Sequence, residues 1–180
     1  MNREEAKAFA QKVHATQVGE DGRPHFEHTA RVAEKTAEKL SRLPEGTLAA
    51  DEIDSILAAA ELHDSTEDFE FTGVTAEILK DLGCTPLTLA IVAALDRPRG
   101  DGAPTYMEWI RSLASADRDP LAHWIGIVFT KLADNEDNLS PARVATLPPE
   151  KASITGRWTR SKNILTSAIV LSGYGDVLVA

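Results

Sequence analysis

Cysteine is almost missing from this chain. With Cys84 alone, no disulfide can close within it, and a reducing cytoplasm suits such a composition. Long apolar runs are missing too. None approaches the roughly 20 residues that cross a bilayer, and Met1 leads into a charged helical segment rather than a signal peptide. The expectation is a cytoplasmic protein with no membrane partner. Positive charge is in deficit, with a formal net charge of -9. That argues against a broad face for duplex nucleic acid, which carries a basic patch. A small anionic substrate stays admissible, because a bound dication and a few lysines can reverse the local field. Alternating strand patterns, internal repeats and low-complexity tracts are also absent. With 180 residues, the chain is expected to form one domain over 1–180 that needs no staples for its core.

What is present reads as helix after helix. Ala6, Phe9, Ala10 and Val13 recur at the spacing of one apolar helical face. The turn from Gly19 to Pro24 separates them from a second helix over about 26–40, which buries Ala30, Ala33, Ala37 and Leu40. Pro44 and Gly46 break that helix, and a third follows at about 51–63 with Ile53, Ile56, Leu57 and Ala60 inward. Another helix is expected from about Phe71 to Gly83, and Pro86 opens the next at a position proline tolerates. A glycine- and proline-bearing break over 98–104 precedes helices at about 106–113 and 120–139, and a last pair spans about 149–172. The predicted class is an all-α single-domain bundle.

Four residues set in these helices carry the chemistry: His28, His63, Asp64 and Asp134. Neutral imidazole with ionised carboxylate suits a divalent metal, and such mixed sets favour Mn, Fe, Co, Ni or Zn over calcium. His63, Asp64, Glu67 and Asp68 fall close to one helical face, a crowding that is costly unless something positive joins them. The bland alternative for these four is an acidic, solvated loop after a helix-ending histidine. Asp134 weighs against it, because it follows Ile125, Val128, Phe129 and Leu132 on an apolar helix where a lone carboxylate is out of place. Together these residues point to a metal-dependent phosphohydrolase site.

The run Ala8-Phe9-Ala10, then His14 and Gln17, then Gly22-Arg23-Pro24-His25-Phe26-Glu27-His28 with Val32-Ala33, resembles the opening of RelA/SpoT-type alarmone hydrolase domains. Ala58 to Asp68 is similar to that family's His-Asp helix with its Glu-Asp pair, and Thr72 stands where the family commonly has threonine. Lys131-Leu132-Ala133-Asp134 with Asn138 resembles its fourth metal ligand and nucleotide-contacting asparagine. The match runs over about 6–140 and places the chain beside the small alarmone hydrolases of the HD phosphohydrolase superfamily. The resemblance implies an HD-type helical bundle in which His28, His63, Asp64 and Asp134 hold one divalent ion, manganese in this family. Coordination lowers the pKa of a bound water toward about 7, and Glu67 and Asp68 would orient that water and manage protons. Asn138 would bond the sugar, and Lys131 could meet a phosphate; its bland alternative is a snorkelling lysine. The implied reaction removes pyrophosphate from the 3′ position of (p)ppGpp.

One departure concerns the base. The family's guanine-stacking arginine is expected between the glutamine and the turn, where this chain has Val18-Gly19-Glu20-Asp21. Arg23 is displaced toward the turn and is retained only as a substitute substrate contact, so (p)ppApp stands beside (p)ppGpp as a substrate. His14 is expected to be a packed histidine, His25 and His123 turn and surface residues, and the centre mononuclear. Arg97 and Arg99 are loop arginines able to clamp phosphate, Trp109, Trp124 and Trp158 are core or helix-interface residues, and Cys84 has no catalytic motif. Two further readings are an HD-superfamily nucleotidase or phosphodiesterase, and a non-catalytic sensor that binds metal and nucleotide. The Glu67-Asp68 pair favours an enzyme, since a pure binder needs no carboxylates beyond its ligands.

Overall fold

The computed structural model describes residues 1–19 and 21–179. Among them the chain is all-α, with a single isolated bridge between Val18 and Pro24 in place of any strand. The elements are α1 (Arg3–Val13), α2 (His25–Leu40), α3 (Ala50–Leu62), α4 (Phe69–Thr72), α5 (Ala76–Asp81), α6 (Pro86–Leu95), α7 (Tyr106–Ala114), α8 (Leu121–Asn138), α9 (Pro141–Val144) and α10 (Ile154–Leu171). Local chemistry sets several of these starts. Asn2 and Glu5 cap α1 reciprocally, as Thr105 and Glu108 cap α7, and Thr85 caps α6 with Pro86 in its first turn. No helix is long and apolar enough to cross a membrane.

The core forms around α3 and α8. Residues from Ser55 to Leu62 are buried, so this C-terminal part of α3 is enclosed on all sides, against α1, α2, α6 and α8. Helix α8 is buried from Trp124 to Asn135 and packs on α2, α3, α6 and α10. Gly126 sits at the tightest crossing, where an added Cβ would meet Ile91 Cδ1 at 2.3 Å and Ile56 Cγ1 at 3.2 Å. Polar residues on elements enclosed this way have no water to solvate them, and the candidate site gathers there.

Two expected elements differ. The helix expected over 71–83 is split, because Gly73 turns left-handed at φ 64° and ends α4, while Thr72 Oγ1 accepts from Val74 N at 3.1 Å. The expected pair over 149–172 is one short 3-10 turn at Pro149–Lys151 followed by α10, and Pro141 opens a short α9 that periodicity did not indicate.

Candidate metal centre

Helix α3 ends at Leu62, so His63 is its C-cap, and residues 63–68 form a turn rather than continuing one helical face. The turn keeps one helix-like bond, from Asp68 N to Asp64 O at 3.0 Å. It therefore leaves Asp64, Glu67 and Asp68 on a cavity rim while His63 stays buried. His28 comes from the first turn of α2 and Asp134 from the penultimate turn of α8, and their elements pack side by side.

These ligand atoms converge. Nitrogen or oxygen atoms of His28, His63 and Asp134 all lie within 4.8 Å of one another. Asp64 completes the set, with Oδ1 at 3.2 Å from His63 Nε2 and Oδ2 at 3.6 Å from His28 Nε2. Their orientation is fixed from behind. His63 Nδ1 donates to Ala60 O at 2.9 Å, which leaves the lone pair on Nε2, a buried atom with no hydrogen-bond partner. His28 Nδ1 donates to Asp137 Oδ2 at 2.8 Å and turns Nε2 toward Asp134 Oδ1 at 3.3 Å. A carboxylate behind a histidine is how metal sites fix ring tautomer and basicity. An orphaned, lone-pair nitrogen among two carboxylates and a second imidazole fits a divalent ion, and these side chains are able to hold one.

The electrostatics follow from burial among opposite charges. Burial disfavours the His28 imidazolium, yet hydrogen bonds to Asp134 and Asp137 outweigh it and raise the pKa to about 9. Burial lowers His63 and keeps it neutral. Against their own burial, the nearby imidazoles hold Asp64 well below the usual carboxylate range, and Lys131 with His28 does the same for Asp134. Glu67 moves the other way: burial and the Asp64 charge raise it more than Lys131 and Arg99 lower it.

One cavity of about 470 Å³ is lined by His28, Asp64, Asp134, Glu67, Asp68 and Asn138, and it also exposes Arg97, Arg99, Lys131, Arg143 and Arg157. Lys131 and Asn138 first serve Asp134: Lys131 Nζ donates to Oδ2 at 2.7 Å, and Asn138 Nδ2 to Oδ1 at 2.6 Å. Arg99 donates to Glu67 Oε1 at 2.8 Å. Arg23 is not brought to this cavity; its guanidinium pairs with Asp21 at 3.6 Å and Glu27 at 3.9 Å. Val18 and Gly19 do line the cavity, whereas Glu20 of the same stretch lies outside the described residues.

Several residues here carried no clear sequence signal. Asp137 holds His28 and is itself held by Arg31 Nε at 2.8 Å; its place one turn from Asp134 was the available hint. Tyr106, Arg157 and Trp158 come from α7 and α10, outside the motif-bearing segments. Arg157 lies 4.7 Å and Arg97 5.7 Å from the Tyr106 ring centre. Trp109 and Trp158 are buried as expected but also face the cavity, and Trp124 is core. His25 is not a free turn residue: its Nε2 is bonded to Asp64 Oδ2 at 2.9 Å. His14 is buried as expected, and half-buried His123 stands in the first turn of α8, far from Asp134 along that helix. Burial raises the Cys84 thiol pKa, and nothing places it at the site. No protein-family model matches the chain, and no curated protein matches it.

Proposed function

We propose that the protein is a metal-dependent phosphohydrolase of the HD type that removes pyrophosphate from the 3′ position of a nucleotide alarmone, (p)ppGpp or (p)ppApp. The observation that carries this reading is the convergence of His28, His63 and Asp134, with Asp64 beside both histidines, next to a cavity that also presents Glu67, Asp68 and five basic side chains. A dication held there, manganese by the resemblance, would supply Lewis acidity toward a phosphate oxygen and a water activated near neutral pH.

The remaining work belongs to the chain's own groups. Glu67, with its raised pKa, is suited to accept a proton from the attacking water and return it to the departing 3′ oxygen. Arg97, Arg99 and Arg143 can bind the phosphates, Arg99 by exchanging its bond to Glu67 for one to phosphate. Arg157, Tyr106 and Trp158 offer planar faces for a purine and stand in for the cation missing from the Val18 to Asp21 stretch. The volume suits a ligand of nucleotide size, within the roughly 300–1,000 Å³ of small-molecule sites.

The test is chromatographic detection of pyrophosphate released from (p)ppGpp and (p)ppApp by manganese-loaded protein. Release from either, lost in Asp64→Ala, is the expected result. No pyrophosphate from either, with brisk cleavage of nucleoside monophosphates, would assign the protein to the nucleotidases instead. Binding of either alarmone without turnover would make it a sensor.

A further inference from the structure

Beside the four ligands lies a second group of the same chemistry that the reading above leaves unexplained. Ligating atoms of His14, His25 and Asp68 also fall within 4.8 Å of one another. The rings of His14, His25, His28 and His63 stand in file, with successive centres 4.9, 5.4 and 5.4 Å apart. Asp64 spans the two groups. Its Oδ1 faces His63 Nε2 at 3.2 Å, while its Oδ2 lies 2.9 Å from His25 Nε2 and 3.6 Å from His28 Nε2.

Hydrogen-bond polarity arranges this second group for ligation. Gln17 Nε2 donates to Asp68 Oδ2 at 2.6 Å, so its Oε1 faces His14 and accepts from Nδ1 at 2.6 Å. The lone pair of His14 is therefore on Nε2, which is buried and without any hydrogen-bond partner. Leaving a buried acceptor unmade costs about 1–3 kcal/mol. One amide thus fixes both a histidine and a carboxylate, the kind of outer bonding that holds metal ligands in place. Two imidazoles and a carboxylate form the same donor class as the first group, suited to Mn, Fe, Co or Zn.

We propose that His14, His25 and Asp68 form a second divalent-cation site, with Asp64 as the carboxylate shared between it and the site of His28, His63 and Asp134. The centre is then dinuclear, against the mononuclear one expected from ligand spacing in the sequence. On the phosphohydrolase reading, a consequence follows for the carboxylate pair. Asp68 would become a ligand and leave proton handling to Glu67 alone, and two cations bound there would supply charge stabilisation for phosphoryl transfer.

The experiment is manganese stoichiometry by equilibrium dialysis with elemental analysis, joined to electron paramagnetic resonance, on the full chain. Wild type is expected to saturate at two ions per chain and to show exchange coupling at the higher loading. His25→Phe should retain one ion and lose the coupling, and His14→Gln should do the same. His25 lines the open cavity whereas His14 is fully enclosed, so His25→Phe remains informative if His14→Gln fails to fold. Asp134→Asn should reduce the first site, and Asp64→Asn should weaken both. Wild type saturating at one ion, or His25→Phe keeping two, overturns the second site. A single ion that is lost in Asp134→Asn and kept in His25→Phe leaves the first site standing. Wild type that binds no manganese overturns both sites and the proposed function with them.

Discussion

Glu67 is disfavoured as an anion by burial and by the charge of Asp64, and it stands behind a ligand set that does not include it. Glu67→Gln should therefore keep manganese at wild-type stoichiometry and lower the rate of pyrophosphate release about 10²–10⁴-fold, the span of acid–base assistance. An unchanged kcat in metal-replete Glu67→Gln protein would remove Glu67 from the chemistry. His28 supports a second prediction, on pH. Its pKa of about 9 lies above the ordinary 6.5, so at neutral pH a proton occupies the nitrogen a cation must take. Manganese binding should release that proton, and apparent affinity should rise about tenfold per pH unit up to pH 9 and then level. Calorimetric titrations at pH 7 and pH 8 measure this, and equal affinities would show that no proton leaves His28 on binding.

At the scale of elements, the site depends on how closely α2, α3 and α8 approach. Gly126 permits α8 to approach α3 and α6, since a Cβ there would overlap Ile91 on α6 and crowd Ile56 on α3, both fully buried. Gly126→Ala gains up to about 1 kcal/mol of helix propensity, but overpacking a filled core costs roughly 1–3 kcal/mol. The net expectation is a loss of up to about 2 kcal/mol, read as a lower urea midpoint with an unchanged slope. A stabilised Gly126→Ala protein would mean that the crossing has slack. The element boundaries were only partly legible in the sequence. Apolar periodicity marks α2, α3 and α8 because each buries a face or more. The break inside the helix expected over 71–83 depends on the left-handed turn at Gly73, whose glycine reads equally as a helix C-terminus or an interior residue.

For the whole molecule, the centre draws on segments far apart in sequence. His28 and Asp137 are separated by 109 positions and joined at 2.8 Å. A cation bound only by the folded chain adds its binding free energy to stability, about 2.7 kcal/mol at a hundredfold excess over Kd. In a domain of this size that corresponds to a rise in Tm of roughly 5–10 °C. Manganese should produce this shift in wild type and none in Asp64→Ala, by thermal unfolding followed by circular dichroism. A rise of equal size in Asp64→Ala would place the stabilising ion elsewhere.

The sequence by itself determined the helical class, because apolar spacing, caps and prolines are local properties written within a few residues of one another. It also determined which residue types were available as ligands, since His28, the His63-Asp64 doublet and Asp134 are conspicuous among alanine-rich and apolar neighbours. Only the tertiary structure decided the rest. That His25 meets Asp64, that Asp137 orients His28, and that Tyr106, Arg157 and Trp158 face the cavity are consequences of packing. No spacing along the chain encodes such contacts. They arise because the packing of α2, α3, α7, α8 and α10 brings residues far apart in sequence to the walls of one cavity.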